Sequence, residues 1–458
     1  MAVWLIGLLT GGGVLAAWWL YTRRLDWQFK TIESQLRGRS RERRLPAAAA
    51  KRMMRQIFKL LKTSLIAGDA DNIYRAFDLL KLALGYGLGG AAEPGRLTAA
   101  VFLALRSHQL DAAGHGIDAF RPLVKNINAA ELPPIVEQLG LIAVISLKHR
   151  HNFLAARAVE IIFASLGTVQ ADGVRTAVMR ALKVTGLTAL RRGDAGLVRE
   201  IQAKLAAWLA AEPPDSVIQE QVTGVLSAWL LRVVKAGDAS VIEPLTDYIR
   251  QLADKKVLAN NTLAGIVGEC SHIAGMDSLN PFSQAAGAIS MLSLDLAVQV
   301  RANATWRQAV DSAGQAARLA VTQRSLAESF DIVYPLLEAG RRLLAAELNS
   351  SLVNDIFRQH SLYILMRECM QLVDFVSRQN FTITAADIID ELYLNWIKCP
   401  ANTGQQKSIR KFCQLLFLYY IRIKRRQKCA TAEGSSFYAP DTITLANRER
   451  LAQLGYLI

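Results

Sequence analysis

AGDADNIYRAFDLLKLAL (residues 67–84) recurs as RGDAGLVREIQAKLAAWL (192–209) and AGDASVIEPLTDYIRQLA (236–253). Each copy carries Gly-Asp-Ala, an apolar residue four after the Asp (Ile73, Val198, Ile242) and another eleven after it (Leu80, Leu205, Ile249). Glycine ends a helix in the left-handed conformation without a Cβ clash, and Asp caps the next helix by accepting its orphan N–H groups. Apolar residues four and then seven positions apart fall on one helix face. The stretch therefore reads as a turn joining two antiparallel helices.

The Asp residues of the three copies, Asp69, Asp194 and Asp238, lie 125 and 44 residues apart, and 125 is close to three times 42. Two further turns are then expected near 111 and 152, where Leu110-Asp111-Ala112 and His151-Asn152-Phe153 stand. Asp277 continues the series less regularly, and Pro133-Pro134 and Pro213-Pro214 fall where one hairpin should give way to the next. A period near 42 built from paired helices resembles the HEAT and armadillo repeats over residues 50–295, by period and turn chemistry. A tetratricopeptide array would need about 34 residues per repeat. The resemblance implies an α-solenoid with an extended binding surface, and hence scaffolding or recruitment of a partner.

Little in the rest of the chain points to catalysis. With 52% hydrophobic residues the 458-residue chain is too apolar for disorder, and its five widely spaced cysteines form no CxxC pair, which argues against a disulfide scaffold or zinc ribbon. The glycine run Gly85-Tyr86-Gly87-Leu88-Gly89-Gly90 lacks the Lys-Ser/Thr of a phosphate loop and reads as an inter-repeat connection. His149 and His151 flank Arg150 at an expected turn. No GxSxG or HExxH motif occurs, so no catalytic, cofactor or metal residue is assigned and a non-enzymatic role is expected.

Residues 2–21 carry no charge, and 20 helical residues reach about 30 Å, the thickness of a bilayer's hydrocarbon core. Trp18, Trp19 and Tyr21 at one end and Trp4 near the other are interfacial residue types, and Gly7 and Gly11 form a GxxxG spacing that would suit a homodimer. Residues 22–62 follow with 13 basic and 3 acidic side chains, among them Arg23, Arg24, Arg37, Arg39, Arg41, Arg43 and Arg44. Positive charge stays on the cytoplasmic side, so a single-pass anchor in the plasma or inner membrane with a cytoplasmic body is expected. Residues 392–428 hold 9 basic and no acidic side chains, including Arg422, Lys424, Arg425, Arg426 and Lys428 beside Tyr419 and Tyr420. Both basic ends suit anionic lipid headgroups, or alternatively nucleic acid.

The expected architecture is thus all-α. It comprises a transmembrane anchor (1–22), a basic juxtamembrane segment (23–62), a repeat array (63–295), a C-terminal helical region (296–428) and a tail with a short helix (429–458). The expected role is a membrane-anchored, cytoplasm-facing scaffold for a protein partner; the alternative is a membrane-tethered nucleic-acid-binding protein.

Overall fold

The computed structural model describes residues 21, 23–37 and 46–378, with breaks at 89–92, 168–170, 212–215, 237–238, 275–282, 324–325 and 346–351, and a few positions between 385 and 418. Every regular element among the described residues is helical, and the chain forms two units, Met1–Leu205 and Ala206–Ile458. The anchor residues Trp4, Gly7, Gly11, Trp18 and Trp19 lie outside the described residues, as do Asp238, Asp277 and Pro213-Pro214.

The first unit opens with α1 (23–37), followed by α2 (Ala47–Ala67), α3 (Ala70–Gly85), α4 (Glu93–Arg106), α5 (Leu110–Asp118), α6 (Phe120–Asn126), α7 (Leu132–Lys148), α8 (Asn152–Leu166) and α9 (Asp172–Arg192). Helix α10 (Ala195–Ala211) begins in it. Helices α2, α4, α7 and α9 stack in one layer; α3, α5 with α6, and α8 stack in a second. Residues 47–62, within the basic segment of the sequence, thus build the first helix of the array. Helix α1 buries Leu25, Phe29, Ile32 and Leu36 along one face, and Arg75 of α3 sits 5.0 Å from the Phe29 ring and 2.8 Å from the Asp26 carboxylate.

Chain reversals follow one geometry. Gly68 (φ 70°), His108 (φ 55°), Arg150 (φ 63°) and Gly193 (φ 73°) are all left-handed, at intervals of 40, 42 and 43 residues. In each, the N–H of the next residue reaches back to the carbonyl five earlier: Asp69 to Ser64, Gln109 to Ala104, His151 to Ser146 and Asp194 to Ala189. This is the bonding of a Schellman cap, which satisfies carbonyls the helix leaves open. Asp69 and Asp194 then accept the N–H of Asn72 and Leu197, whereas Gln109 and His151 make no side-chain cap. The reversals expected at Asp111 and Asn152 therefore occur at Ser107–Gln109 and His149–His151, two and one residues earlier. Neither turn has Gly-Asp, so Asp is a poor marker of register there even though the period holds.

Neighbouring repeats pack in register. Gly68 lies against Gln109, the Glu137 carboxylate receives Arg180 at 3.2 Å, and Gly140 meets Ala181 so closely that a Cβ would stand 2.9 Å from it. Arg121 pairs with Glu160 at 2.7 Å, and Arg157 pairs with Asp118.

In the second unit, α11 (Ser216–Ala236), α13 (Asn260–Ala274), α15 (Asn303–Gln323) and α17 (Leu352–Ser377) form one layer. Helices α12 (Ala239–Asp254), α14 (Ser283–Val300) and α16 (Leu326–Ala345) form the other. Here the left-handed residues, Lys256 and Arg301, join α12 to α13 and α14 to α15. Trp229 and Trp306 are fully buried, and Trp306 Nε1 donates to the Ser361 carbonyl at 3.0 Å.

Candidate partner-binding face

Among the described residues, one helical stretch is long and apolar enough to cross a bilayer, Ala129–Lys148, with mean hydropathy 1.4 and 56% of it buried. It consists of a 3-10 turn (Ala129–Glu131) and the core helix α7, which is flanked by α4, α8 and α9. Burial against three neighbours accounts for its Leu132, Ile135, Val136, Leu139 and Ile142, but Leu141 remains 45% exposed. The apolar excess of α7 is therefore on its outer face.

Aligning repeats on the left-handed turn residue shows what that face is made of. Four positions before the turn residue sits a small buried side chain: Ser64, Ala104, Ser146 or Ala189. It is followed by Leu65, Leu105, Leu147 or Leu190. Two positions before the turn residue, the last turns of α4, α7 and α9 carry Arg106, Lys148 and Arg191, all exposed. A cation in the last helical turn complements the negative end of the helix dipole. Among the described residues none of these three forms an ion pair with a carboxylate.

Nine positions before the turn residue stand Ala99, Leu141 and Val184, all exposed, with Val184 at 46%. Six positions before it stand Phe102, Val144 and Leu187, each half-buried. Because the helices pack in register, each set forms a row across α4, α7 and α9. Exposure repeats from helix to helix, so the pattern belongs to the repeat and not to one side chain. Helix α2 closes the strip: its equivalent positions are Lys59, Lys62 and Ile66, with charge and apolarity interchanged.

Beside the cationic row the turns carry His108, His149, Arg150 and His151, and the His149 and His151 rings stack with centroids 6.3 Å apart. Burial pushes the His151 pKa down, and the nearby His149 and His108 add to the shift. Asp111 and Asp194 are the carboxylates at these turns, and Asp194 is engaged in its cap.

Of the residues singled out from the sequence, Tyr21, Arg23, Arg24 and Arg37 are described. All are exposed, and Arg37 pairs with Glu33 at 2.7 Å. Arg39, Arg41, Arg43, Arg44, Arg422, Lys424, Arg425, Arg426 and Lys428 lie outside the described residues. Sequence reading misses the row Arg106, Lys148 and Arg191. Its signal is present as Ala-Leu-Arg, Ser-Leu-Lys and Ala-Leu-Arg, but turns registered on Asp do not align the three.

No family model matches the chain, and no curated protein is similar to it. Among solved structures it is similar to a circular tandem repeat protein with novel repeat topology and enhanced subunit contact surfaces, at 13% identity over 91% of this chain and 98% of that one, with a TM-score of 0.34.

Proposed function

We propose that this chain is a membrane-tethered helical-repeat scaffold that holds a protein partner on the cytoplasmic side, with the outer face of α4, α7 and α9 as its binding surface. The observation that carries the reading is the repeated exposure of apolar side chains at equivalent positions of these helices. Stacked helical pairs bury one face against their neighbours and need nothing apolar on the other, so an apolar row repeated from helix to helix is unnecessary for folding. The tether rests on the uncharged residues 2–21 and the basic residues that follow them. Anionic lipid beside that tether would be met by Arg23, Arg24 and Arg37, with Trp27 of the same helix 66% exposed among them.

Alkaline extraction of membranes from cells producing the full chain tests the tether, and release into the supernatant would overturn it. A photo-crosslinker at position 141 tests the surface against one at position 86, where Tyr86 is also exposed but follows α3 of the other layer. Equal adduct yields at the two positions would remove the case for this face.

A further inference from the structure

The rows on the first unit's outer face have dimensions that select a class of partner. Equivalent residues of packed helices stand about 8–10 Å apart, the interaxial distance. Seven residues of an α-helix rise about 10.5 Å. A helix laid across α4, α7 and α9 therefore presents every seventh residue to successive members of one row.

The separation between rows also fits. Positions nine and two before the turn residue are seven apart on one helix, about 10.5 Å, close to the diameter of a helix with its side chains. A helix seated over Phe102, Val144 and Leu187 has Leu141 and Val184 along one flank and Arg106, Lys148 and Arg191 along the other. Its chemistry follows from theirs: apolar underneath and on one side, acidic on the other.

We infer that the outer face of α4, α7 and α9 binds an amphipathic α-helix of a partner protein, laid across the three helices, with acidic residues at seven-residue spacing meeting Arg106, Lys148 and Arg191. This rests on the scaffold reading and adds the partner's class, orientation and charge. Charge complementarity favours an acidic helix, because among the described residues the three cations meet no carboxylate, while the apolar rows need a partner with side chains of their own. A nucleic acid would satisfy the cations and leave Leu141 and Val184 uncovered.

The test uses the full chain in neutral phosphatidylcholine nanodiscs and a fluorescein-labelled helical peptide of about 21 residues, six turns, with Leu on its lower face and Glu at seven-residue spacing on one flank. Fluorescence anisotropy should show saturable binding that weakens with salt. Lys148→Glu with Arg191→Glu should reduce affinity at least about tenfold, and a peptide with Lys in place of Glu should recover binding to that double variant. A second variant, Leu141→Ser, should weaken both peptides alike, and circular dichroism verifies that each variant stays helical. Equal binding by a peptide of the same composition with its acids at five-residue spacing would overturn the inference. So would no loss in the double variant, or protection of 137–148 and 180–191 from hydrogen exchange by phosphatidylserine nanodiscs without peptide. If the chain does not remain with nanodiscs, the tether fails by itself, and the same titration on the released chain still decides the inference.

Discussion

The two units stack helices in the same way but hold the stack by different means. In the first, partners across a repeat boundary stay 39 to 43 residues apart, as in Asp118–Arg157, Arg121–Glu160 and Glu137–Arg180. Arg121–Glu160 and Glu137–Arg180 are solvent-facing, Asp118 is half-buried beneath Arg157, and capped turns recur at each boundary. In the second, the offset grows from 42 at Thr223–Gly265 to 45 at Arg250–Asp295, 47 at Asp295–Arg342 and 50 at Arg318–Glu368. Buried charge joins the contacts there, and the backbone approach is closer than that of Gly140 to Ala181. Asp295 receives Arg250 at 2.9 Å and Arg342 at 2.7 Å, bridging α12 and α16. The Glu368 side chain, 3% exposed, lies against Gly314 and pairs with Arg318. Pro335 has no N–H, so the Asp331 carbonyl four residues earlier loses its helical partner and faces Gly287, where an added Cβ would overlap it. The lesson is that the repeat length can drift where buried ion pairs between helices add to the turn caps.

The comparison breaks most readily at its charges. Replacing Arg318 with Ala leaves a buried carboxylate unpaired and should cost about 3–5 kcal/mol, whereas Arg180→Ala, whose pair with Glu137 is exposed on both sides, should cost less than about 1 kcal/mol. Urea unfolding of both variants measures the contrast; equal losses would show that the units do not differ in this way.

Gly287→Ala should come next, at about 1–3 kcal/mol, because the added methyl meets backbone and not a movable side chain. Thermal unfolding followed by circular dichroism reads it, and a neutral result would show that the approach of α14 to α16 at Gly287 does not hold the second unit together.

Turn substitutions sharpen the other half. Gly193→Ala places a Cβ in the left-handed region and should destabilise by about 1 kcal/mol, while Arg150→Gly removes one from the equivalent turn and should stabilise by a similar amount. Opposite signs in denaturant midpoints are required if both turns have the same geometry.

The smallest effect is a pH slope. The His151 pKa is lowered on folding from 6.5, so the unfolded chain binds the proton more readily. Its contribution is present at neutral pH and diminishes as pH falls through the ordinary histidine range. Unfolding midpoints measured across that range should fall less steeply for His151→Gln than for the unaltered chain, and identical slopes would refute the assignment.

How much is legible in the sequence follows from where the information is local. Gly68-Asp69 and Gly193-Asp194 announce both halves of a turn, since a left-handed residue and a side-chain cap are properties of adjacent residues. His108 and Arg150 adopt the same left-handed conformation without the residue that makes it cheap, so period alone places those turns, and places them one or two residues late. In the sequence, helix α7 is one more array helix; that its apolarity exceeds what its core needs becomes visible only with Leu141 and its in-register neighbour Val184 exposed.

The sequence by itself determined helices, hairpin turns and their spacing, because 3.6-residue periodicity and cap chemistry act within a few residues. Only the tertiary structure decided which side chains share a row. Arg106, Lys148 and Arg191 stand 42 and 43 residues apart along the chain, and nothing in local preference makes them neighbours. Close packing does, by forcing Gly140 onto Ala181 and each turn onto the next, and with that register the outer face acquires its stripe of apolar side chains and its edge of positive charge.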